Sequence, residues 1–546
     1  MNKKQTWLVL SALLAFSILY TLINYLWIEK NISHLPPPWD PAWYIYMSLN
    51  NYDALWNGNI SEFLKTVMTQ DPYHGPLFPA IGTSIFIIFG PNISAAYLIN
   101  AVYLFILFSS VFFITEKIAG RKAAMLAVFI TATFPTVTAA SRDYLFEFPL
   151  AALTALSYLF LIRSDSFSRR KESVFLGISS GLSILTKTMG IIFFVFPFLY
   201  AGYTFIRKRP SKEVRKNIIL SFSIALILAS LFYVPNFRQI FWYLFEFGFG
   251  EGAKPYSSGV PSLLSIQNWT IYLKAISWHG ISVIYTFVFL IAAIAFLFLK
   301  DKKLSKDYLI LWLWFLSGYF ILSLSINKGG ARYALPILAP IAIIMATHII
   351  SIPLKSLRYA IIVISLIAGA LNFTYQSRSE LCRYKEFYYK NTPVFIPLHM
   401  TCAIKDTDGL TVPYNRDWDI MPILQYMDSF NHDNIEPTTV FIAFDHYFLN
   451  GCTLQLYSKL GQLKGLLSSK FIVEGLANKP YEEDDIKRLI HESYFIMTKT
   501  GFQGPDFSNT KNHLATKLLK NNAPVKDFVM TDGSTVSIYR GIAYKK

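Results

Sequence analysis

Charged residues are scarce in this sequence of 546 residues: only 15% are Asp, Glu, Lys or Arg, whereas 53% are hydrophobic. Soluble proteins carry about 25% charged residues, so this scarcity argues against a soluble protein and indicates an integral membrane protein. Cysteine is scarcer still, with Cys382, Cys402 and Cys452 all near the C-terminus and no CxxC spacing typical of a metal site. If that region is extracytoplasmic, one disulfide and one leftover thiol fit the sequence, with no pairing predicted.

Internal repeats and low-complexity runs are also absent, and the positive charge is unevenly placed. Nearly all of the net charge of +16 lies before residue 376. Short cytoplasmic loops of membrane proteins collect Lys and Arg, so the basic excess belongs to a membrane region and argues against nucleic acid as a partner.

Eleven apolar segments are long enough to span or nearly span a bilayer. The first follows Asn2-Lys3-Lys4 and has no small-residue cleavage site, which favours an uncleaved span over a signal peptide. Basic clusters in alternate loops predict a cytoplasmic N-terminus and an extracytoplasmic tail. The predicted spans are 7–28, 94–115, 123–139, 144–163, 174–187, 190–206, 217–235, 280–299, 307–325, 334–352 and 359–375.

The segment Leu77 to Phe89 is too short to count as a twelfth span, and counting it would place Arg121-Lys122 on the outer face. We predict a helix that lies at or dips into the outer leaflet, within a first outer loop of residues 29–93. Further outer segments are predicted at 140–143, 236–279 and 326–333.

The tail, 376–546, changes character from the preceding 1–375 membrane module. Short β-prone runs alternate with helical stretches at 418–430 and 484–492, a pattern typical of a small α/β domain. The candidate strands are 440–443, 471–473, 494–497, 528–530 and 536–539.

Polar residues that could take part in chemistry lie on the predicted outer face. Asp40 stands between Trp39 and Pro41, where it could act as a general base beside aromatic faces that suit a sugar ring, with Tyr44 one helical turn further on. The alternative is a carboxylate that starts a turn or caps a helix. His74, in a Gly-Pro turn, could donate to a phosphate or a hydroxyl, or bond only locally.

A second acidic pair, Asp143 and Glu147, has the spacing of one helix face, where two carboxylates repel unless a cation, a proton or a hydroxyl-rich ligand lies between them. Both could instead complement the positive end of a membrane helix. Glu147 is expected to lie deeper, and an ionisable group within a membrane is a functional candidate.

Three cations complete the set. Lys187 lies between two apolar segments and could hold an anionic lipid headgroup or extend to the interface without a ligand. Arg332 and Tyr333 follow a glycine turn that also contains Lys328, a further candidate for substrate binding. A guanidinium there suits bidentate phosphate binding, with interfacial anchoring as the alternative.

Taken in order, these segments resemble the polyprenyl-phosphate-dependent GT-C glycosyltransferases, in the branch of protein O-mannosyltransferases and lipid A aminoarabinose transferases. The resemblance covers residues 7 to 375, and it depends on the order and shared face of the segments. They are Trp39-Asp40-Pro41-Ala42-Trp43-Tyr44, His74-Gly75-Pro76-Leu77, Arg142-Asp143-Tyr144 with Glu147-Phe148-Pro149-Leu150, Gly181-Leu182 through Leu185-Thr186-Lys187, and Arg332-Tyr333-Ala334-Leu335-Pro336.

The resemblance implies a polytopic helical fold and an inverting transferase that uses a polyprenyl-phosphate-linked sugar. Asp40 would be the catalytic base, Asp143 and Glu147 would help to bind acceptor or sugar, and Lys187 and Arg332 would bind the donor phosphate. The family often has a second acidic residue after the first-loop Asp, where this chain has Pro41. No metal ligand is therefore assigned, although the sequence remains compatible with a divalent metal as a cofactor.

The implied partners are the lipid bilayer, the donor and a lipid, glycan or protein acceptor, and the implied location is the cytoplasmic (inner) membrane. The main alternative is a glycolipid transporter or flippase, a class that often shows internal repeats and charged or broken helices near the midplane. A third interpretation is a receptor-like protein whose tail binds a partner. The donor sugar, the acceptor and the role of the tail are not encoded in any recognisable motif.

Overall fold

The structure is a computed structural model of the 546-residue chain. It describes residues 2–207, 210–257, 262–297, 305–328, 330–377, 387–389, 392–394, 418–430, 437–474, 482–501 and 506–544.

Helices dominate the first 377 residues. Their bounds are α1 Lys3–Asn31, α2 Trp39–Asp53, α3 Ile60–Thr69, α4 Leu77–Phe89, α5 Ile93–Ala96, α6 Asn100–Ala132, α7 Pro135–Ala140, α8 Glu147–Arg163, α9 Arg170–Thr186, α10 Val195–Arg207, α11 Lys212–Tyr233, α12 Phe237–Phe249, α13 Ile266–Ala275, α14 Val283–Leu297, α15 Lys306–Leu324, α16 Gly330–Tyr333, α17 Leu338–Ser351 and α18 Lys355–Ser377.

The remaining elements mix strands and helices. They are β1 Phe387–Tyr389, β2 Thr392–Val394, α19 Met421–Asp428, β3 Thr438–Ile442, α20 Gly451–Leu463, β4 Phe471–Glu474, α21 Glu483–Glu492, β5 Phe495–Lys499, α22 Asp506–Leu518, β6 Lys526–Val529 and β7 Thr535–Arg540.

The chain forms two compact units, each made of several sequence segments. The first unit takes the described residues of 1–27, 71–78 and 97–412, and the second takes those of 28–70, 79–96 and 413–546. Most of the first outer loop therefore belongs to the same unit as the C-terminal α/β region, a grouping that the sequence pattern does not predict.

In the first unit, α6 packs against α8 and α17, and α9 packs against α8 and α11. Within the described residues, six helical segments are long and apolar enough to cross a membrane, or seven if the bent pair around residue 281 is one span. This composition confirms a multi-pass helical membrane protein. The six segments are Lys3–Asn31, Ile93–Ala132, Thr188–Arg207, Lys212–Tyr233, Lys306–Leu324 and Lys355–Ser377.

All eleven predicted spans fall largely on helices, but several of these helices differ in length from the prediction. α8 is shorter than its predicted span and α9 is longer; each has 17 residues, at the lower limit of what a bilayer-spanning helix needs. The predicted spans 94–115 and 123–139 fall largely on one long helical segment, which is broken at Gly120 by a backbone with φ 82° and ψ 176°. That break lies beside Arg121-Lys122, where the sequence predicts a loop.

In the second unit, a five-stranded sheet has the order β4-β3-β5-β7-β6. β3 pairs in parallel with β4 and β5, whereas β7 pairs antiparallel with β5 and β6. α21 and α22 bury their apolar faces against this sheet, with Ile486, Leu489 and Ala515 contacting Phe441 and Ile496. The predicted C-terminal α/β fold is confirmed, and all five candidate strands are found; helices α20 and α22 are additional, and the domain boundary at residue 376 stays a prediction.

Candidate functional site

Three ionised side chains of the first unit converge at the start of α8. Glu147 Oε1 lies 2.7 Å from Lys187 Nζ and 3.7 Å from Arg332 Nε. The three side chains are named here the Glu147 ion cluster. They are brought together from α8, from the residue after α9 and from the short helix α16, so folding joins three of the predicted site residues in one place.

Local structure explains how each element presents its charge. Glu147 occupies the first turn of α8, where a carboxylate is favoured by the helix dipole. Lys187 follows the last residue of α9 in an extended conformation, with φ −149° and ψ 138°, so its side chain leaves the helix axis. Gly330 begins α16 with φ 66°, a left-handed conformation that favours glycine, and so sets the turn that presents Arg332.

The burial of these groups is unequal. The Glu147 side chain is only 2% exposed, whereas those of Lys187 and Arg332 are 14% and 13% exposed. The cluster therefore has two cations around one carboxylate, and the cations are its more accessible groups. Tyr333 covers them, with its ring centre 4.6 Å from Lys187 Nζ and 5.3 Å from the guanidinium carbon of Arg332.

The second carboxylate oxygen of the cluster has an unusual environment. Glu147 Oε2 is buried and accepts no hydrogen bond from another described residue. A buried oxygen without a donor is costly. A hydroxyl group of a ligand could donate to it, which is the property expected of a sugar-binding or acceptor-binding carboxylate.

His74 lies next to this cluster in the first unit. Its ring stacks on Phe146, the residue before Glu147, at 5.9 Å and 8° between planes, and its Nδ1 lies 2.8 Å from Asp71 Oδ2. A Cβ on Gly75 would lie 2.1 Å from the carbonyl oxygen of Leu185, so only glycine permits this close approach to the end of α9. The segment 71–78 thus packs beside the cluster.

Asp143 is placed differently from the sequence expectation. α8 begins at Glu147, so Asp143 lies in the preceding turn and the two carboxylates do not share a helix face. Asp143 Oδ1 accepts a hydrogen bond from the Tyr144 backbone N–H at 2.7 Å, and its carbonyl accepts one from Asn100 at 2.8 Å. The expectation of one face is wrong because Ser141 to Asp143 form a turn after α7 instead of extending α8.

Lys328 is nearly buried, at 6% exposure, and its ammonium donates to the carbonyls of Ser323, at 2.9 Å, and Ser325. Burial lowers the pKa of Lys328 to about 8. It lines a cavity of about 220 Å³ with Tyr272 and Trp278. Its described hydrogen bonds fix the turn before α16.

The first-loop candidates belong to the second unit. Asp40 is half-buried in the first turn of α2, and the N-cap position is occupied by Pro38, so the aspartate is not the capping residue. Trp39 Nε1 donates to Asp445 Oδ1 at 2.9 Å. Tyr44 is buried at 3% exposure on the same helix.

Metal ligands do not converge in the described part of the chain: no group of three His, Cys, Asp or Glu side chains there could hold an ion. We therefore derive no step through a metal. Cys452 is the second residue of α20, whereas Cys382 and Cys402 lie outside the described residues, so their pairing stays a prediction.

Two charged residues with hydrogen-bond partners far away in sequence were not singled out as site residues by sequence. Arg142 is 3% exposed and donates to Asn24, at 2.9 Å, to the Gln376 carbonyl, at 2.6 Å, and to Ser377, at 2.7 Å. Asp445 contacts Trp39 across 406 residues of sequence. A charged residue next to apolar runs was the only available signal for either.

Comparison with known proteins gives consistent results. The family model described as dolichyl-phosphate-mannose-protein mannosyltransferase matches residues 73–234, the part that contains His74, Glu147 and Lys187. A comparison with curated protein sequences finds no match.

Solved structures resemble the chain more extensively. ArnT from Cupriavidus metallidurans in the apo state has a TM-score of 0.56 at 12% identity, covering 99% of both chains. Arabinofuranosyltransferase AftD from Mycobacteria has a TM-score of 0.55 at 13% identity, covering 97% of this chain and 40% of its own.

The Archaeoglobus fulgidus oligosaccharyltransferase in the apo form has a TM-score of 0.53 at 13% identity, covering 90% of this chain and 69% of its own. None of these comparisons supports the transporter alternative. The chain has the fold of these proteins, which confirms the GT-C-like architecture predicted from the sequence.

Proposed function

We propose that the protein is a membrane glycosyltransferase that moves a sugar from a polyprenyl monophosphate to a lipid, glycan or protein acceptor with inversion at C1. The observation on which this proposal depends is the Glu147 ion cluster. It combines two partly accessible cations with a buried carboxylate oxygen that has no described donor. Phosphate and a hydroxyl-bearing sugar meet those requirements together.

The cations suit the donor phosphate. When the bond between C1 and the phosphate oxygen breaks, the phosphate leaves with the electron pair and its negative charge increases. Lys187 and Arg332 would stabilise that charge, and a fixed cation in a water-poor site does so effectively. Glu147 holds both cations in place before the donor arrives, which lowers the cost of organising them at the moment of reaction.

A structural neighbour supports a polyprenyl donor. ArnT from Cupriavidus metallidurans bound to undecaprenyl phosphate matches this chain with a TM-score of 0.50 at 12% identity. The corresponding ligand class for this chain is a sugar on a polyprenyl monophosphate. A lipid donor accounts for a cationic site built among apolar helices.

Asp40 is proposed as the base. It would accept the proton of the acceptor group as that group attacks C1 from the face opposite the leaving phosphate. Phosphate is a good leaving group, so this chemistry needs a base and cations more than an acid. Trp39 and Tyr44 would contribute aromatic surface, and Asp143, Lys328 and His74 would support substrate binding.

The topology is part of the proposal. Basic loops place the N-terminus in the cytoplasm, and the C-terminal domain, 376–546, would be extracytoplasmic on the outer side of the cytoplasmic (inner) membrane. Residues 1–375 would then form the transferase module that carries the catalytic groups.

The test is substitution of Asp40 in a strain whose own copy is deleted. Mass spectrometry of glycolipids and glycoproteins from the deletion strain identifies the missing sugar and its acceptor. Asp40→Asn should accumulate in membranes at the wild-type level yet restore none of the missing product. Glu62→Gln, which alters an exposed carboxylate of the same outer loop, should restore it fully; restoration by Asp40→Asn would refute the base assignment.

A further inference from the structure

Helix α2 is held at both ends by the C-terminal domain within the second unit. At its start, the Trp39 indole donates to Asp445 Oδ1 at 2.9 Å, and the rings of Trp39 and Tyr447 lie 4.7 Å apart. At its end, Asp53 forms an ion pair with Lys459 of α20. Between these two anchors α2 packs along α20.

The loop that supplies the first anchor is itself rigid. It connects β3 with α20, and Asn450 caps α20 by accepting from the backbone N–H groups of Cys452 and Thr453. The same amide donates to the carbonyls of His446, at 3.0 Å, and Tyr447, at 3.2 Å. A side chain on this loop therefore has a defined position relative to the sheet.

Asp445 depends on its contact with Trp39. Burial raises the pKa of Asp445, while the charge of Lys511 and the indole hydrogen bond act in the opposite direction. Lys511 is itself 5% exposed. Asp445 is half-buried, and losing a hydrogen bond to a partly desolvated carboxylate costs more than losing an exposed one, so the Trp39 contact is favoured.

The contact acts on the residue that follows. Asp40 comes directly after Trp39, and the two residues are flanked by Pro38 and Pro41. Because proline fixes φ, the local backbone has little freedom to compensate for a moved indole. We propose that Asp445 is a positioning residue for transfer: by holding Trp39 it fixes the rotation of the first turn of α2 and hence the direction of the Asp40 carboxylate. This inference rests on the proposed role of Asp40.

The experiment compares full-length variants in the deletion strain, measuring the initial rate of product formation per unit of membrane protein. Asp445→Ala should lower the rate at least about tenfold, since small misplacement of a catalytic group costs up to about 100-fold. Asp445→Asn keeps an oxygen acceptor for the indole and should stay within about threefold of the wild-type rate. Combining Trp39→Phe with Asp445→Ala should be no worse than the stronger single change, because both remove one interaction.

Asp428→Ala is the matched control. Asp428 also accepts backbone hydrogen bonds inside this domain, from Ser468 at 2.9 Å and Ser469 at 2.7 Å, and no described hydrogen bond joins it to α2. General loosening of the domain would lower the rate in Asp428→Ala as much as in Asp445→Ala. Equal rates in the two variants, or multiplying effects of Trp39→Phe and Asp445→Ala, would overturn the positioning role.

A second readout is independent of transfer. The protein has 11 tryptophans. In protein labelled with 5-fluorotryptophan, the ¹⁹F resonance of Trp39 is identified as the one that is missing from the spectrum of Trp39→Phe. It should shift in Asp445→Ala and stay in place in Asp428→Ala; an unmoved resonance in Asp445→Ala would refute the anchor. An active Asp40→Asn would remove the proposed base and this role with it, whereas an inactive Asp40→Asn beside a fully active Asp445→Ala would refute positioning alone.

Discussion

Arg142 and Glu147 lie five residues apart in sequence, and both are buried charges of the first unit, but their surroundings differ. Arg142 donates to three groups of the protein and its guanidinium carbon lies 4.5 Å from the centre of the Trp27 ring. Glu147 shares its two cations through one oxygen and leaves the other without a described donor.

The difference separates two uses of a buried charge. The bonds of Arg142 link α1, the turn after α7 and the end of α18, all through groups of the protein itself, which is what a structural charge requires. In the Glu147 ion cluster one buried carboxylate oxygen has no described donor, and the cations remain partly accessible. An unsatisfied buried oxygen next to accessible charge is typical of a binding site. Four single substitutions, ordered by their expected effect on transfer, and one double variant test this contrast.

Lys187→Met should have the largest effect. It removes the cation nearest to Glu147 and should lower the transfer rate at least about 100-fold, the loss seen when one group that stabilises developing charge is removed. It also leaves the buried carboxylate with a weaker partner, so the unfolding temperature in detergent should fall. Product formation and thermal unfolding of the same preparation measure the two effects.

The double variant Glu147→Gln with Lys187→Met separates binding from stability. Removing both members of a buried pair is far less costly than removing one, so the unfolding temperature should recover towards the wild-type value while transfer stays lost. Recovery of transfer together with stability would mean that the pair is structural, and the contrast with Arg142 would disappear.

Arg332→Lys should have the next largest effect, about tenfold. The ammonium keeps the positive charge but loses the planar, forked arrangement of donors that matches a phosphate. The loss should appear mainly as weaker donor binding, measured as the donor concentration needed for half-maximal transfer in membranes. An unchanged donor requirement would contradict phosphate binding by Arg332.

The sequence was informative where structure is local. The apolar run 77–89, followed by Gly90, predicts a helix, and α4 spans Leu77–Phe89. Its interfacial placement stays a prediction. The strands of the tail were equally predictable, because short β-prone runs bounded by polar segments determine them without help from distant residues.

The sequence could not reveal pairings between distant elements. Lys187 meets Glu147 from 40 residues away and Trp39 meets Asp445 from 406 residues away, and no local pattern encodes either contact. Asp143 shows a different error. Its spacing from Glu147 predicts that both lie on one helix face, but Asp143 lies in the turn that begins at Ser141 and α8 begins only at Glu147. Candidate residues could therefore be named individually, while their arrangement required the fold.

His74→Phe should have a smaller effect, about threefold. A phenyl ring can keep the stacking on Phe146, but it loses the contact of Nδ1 with Asp71. The ring stacks on the residue before Glu147, so we expect a moderate fall in transfer rate with an unchanged donor requirement. A loss as large as that of Lys187→Met would give His74 a part in transfer equal to that of the cations, and would contradict the supporting role proposed for it.

Arg142→Met should have the smallest effect on transfer and a large one on stability. The methionine fills part of the space but leaves Asn24, the Gln376 carbonyl and Ser377 without their charged donor, which should cost about 2–4 kcal/mol of stability. Protein that does fold should transfer sugar at a rate within about twofold of wild type, because every donor of Arg142 in the described contacts bonds to the protein.

The measurement is transfer rate per folded molecule, quantified by size-exclusion chromatography before the assay. A rate that falls in folded Arg142→Met as far as it does in Lys187→Met would show that a fully satisfied buried charge can also be part of the binding site, and the distinction between these two arginine- and glutamate-centred networks would fail.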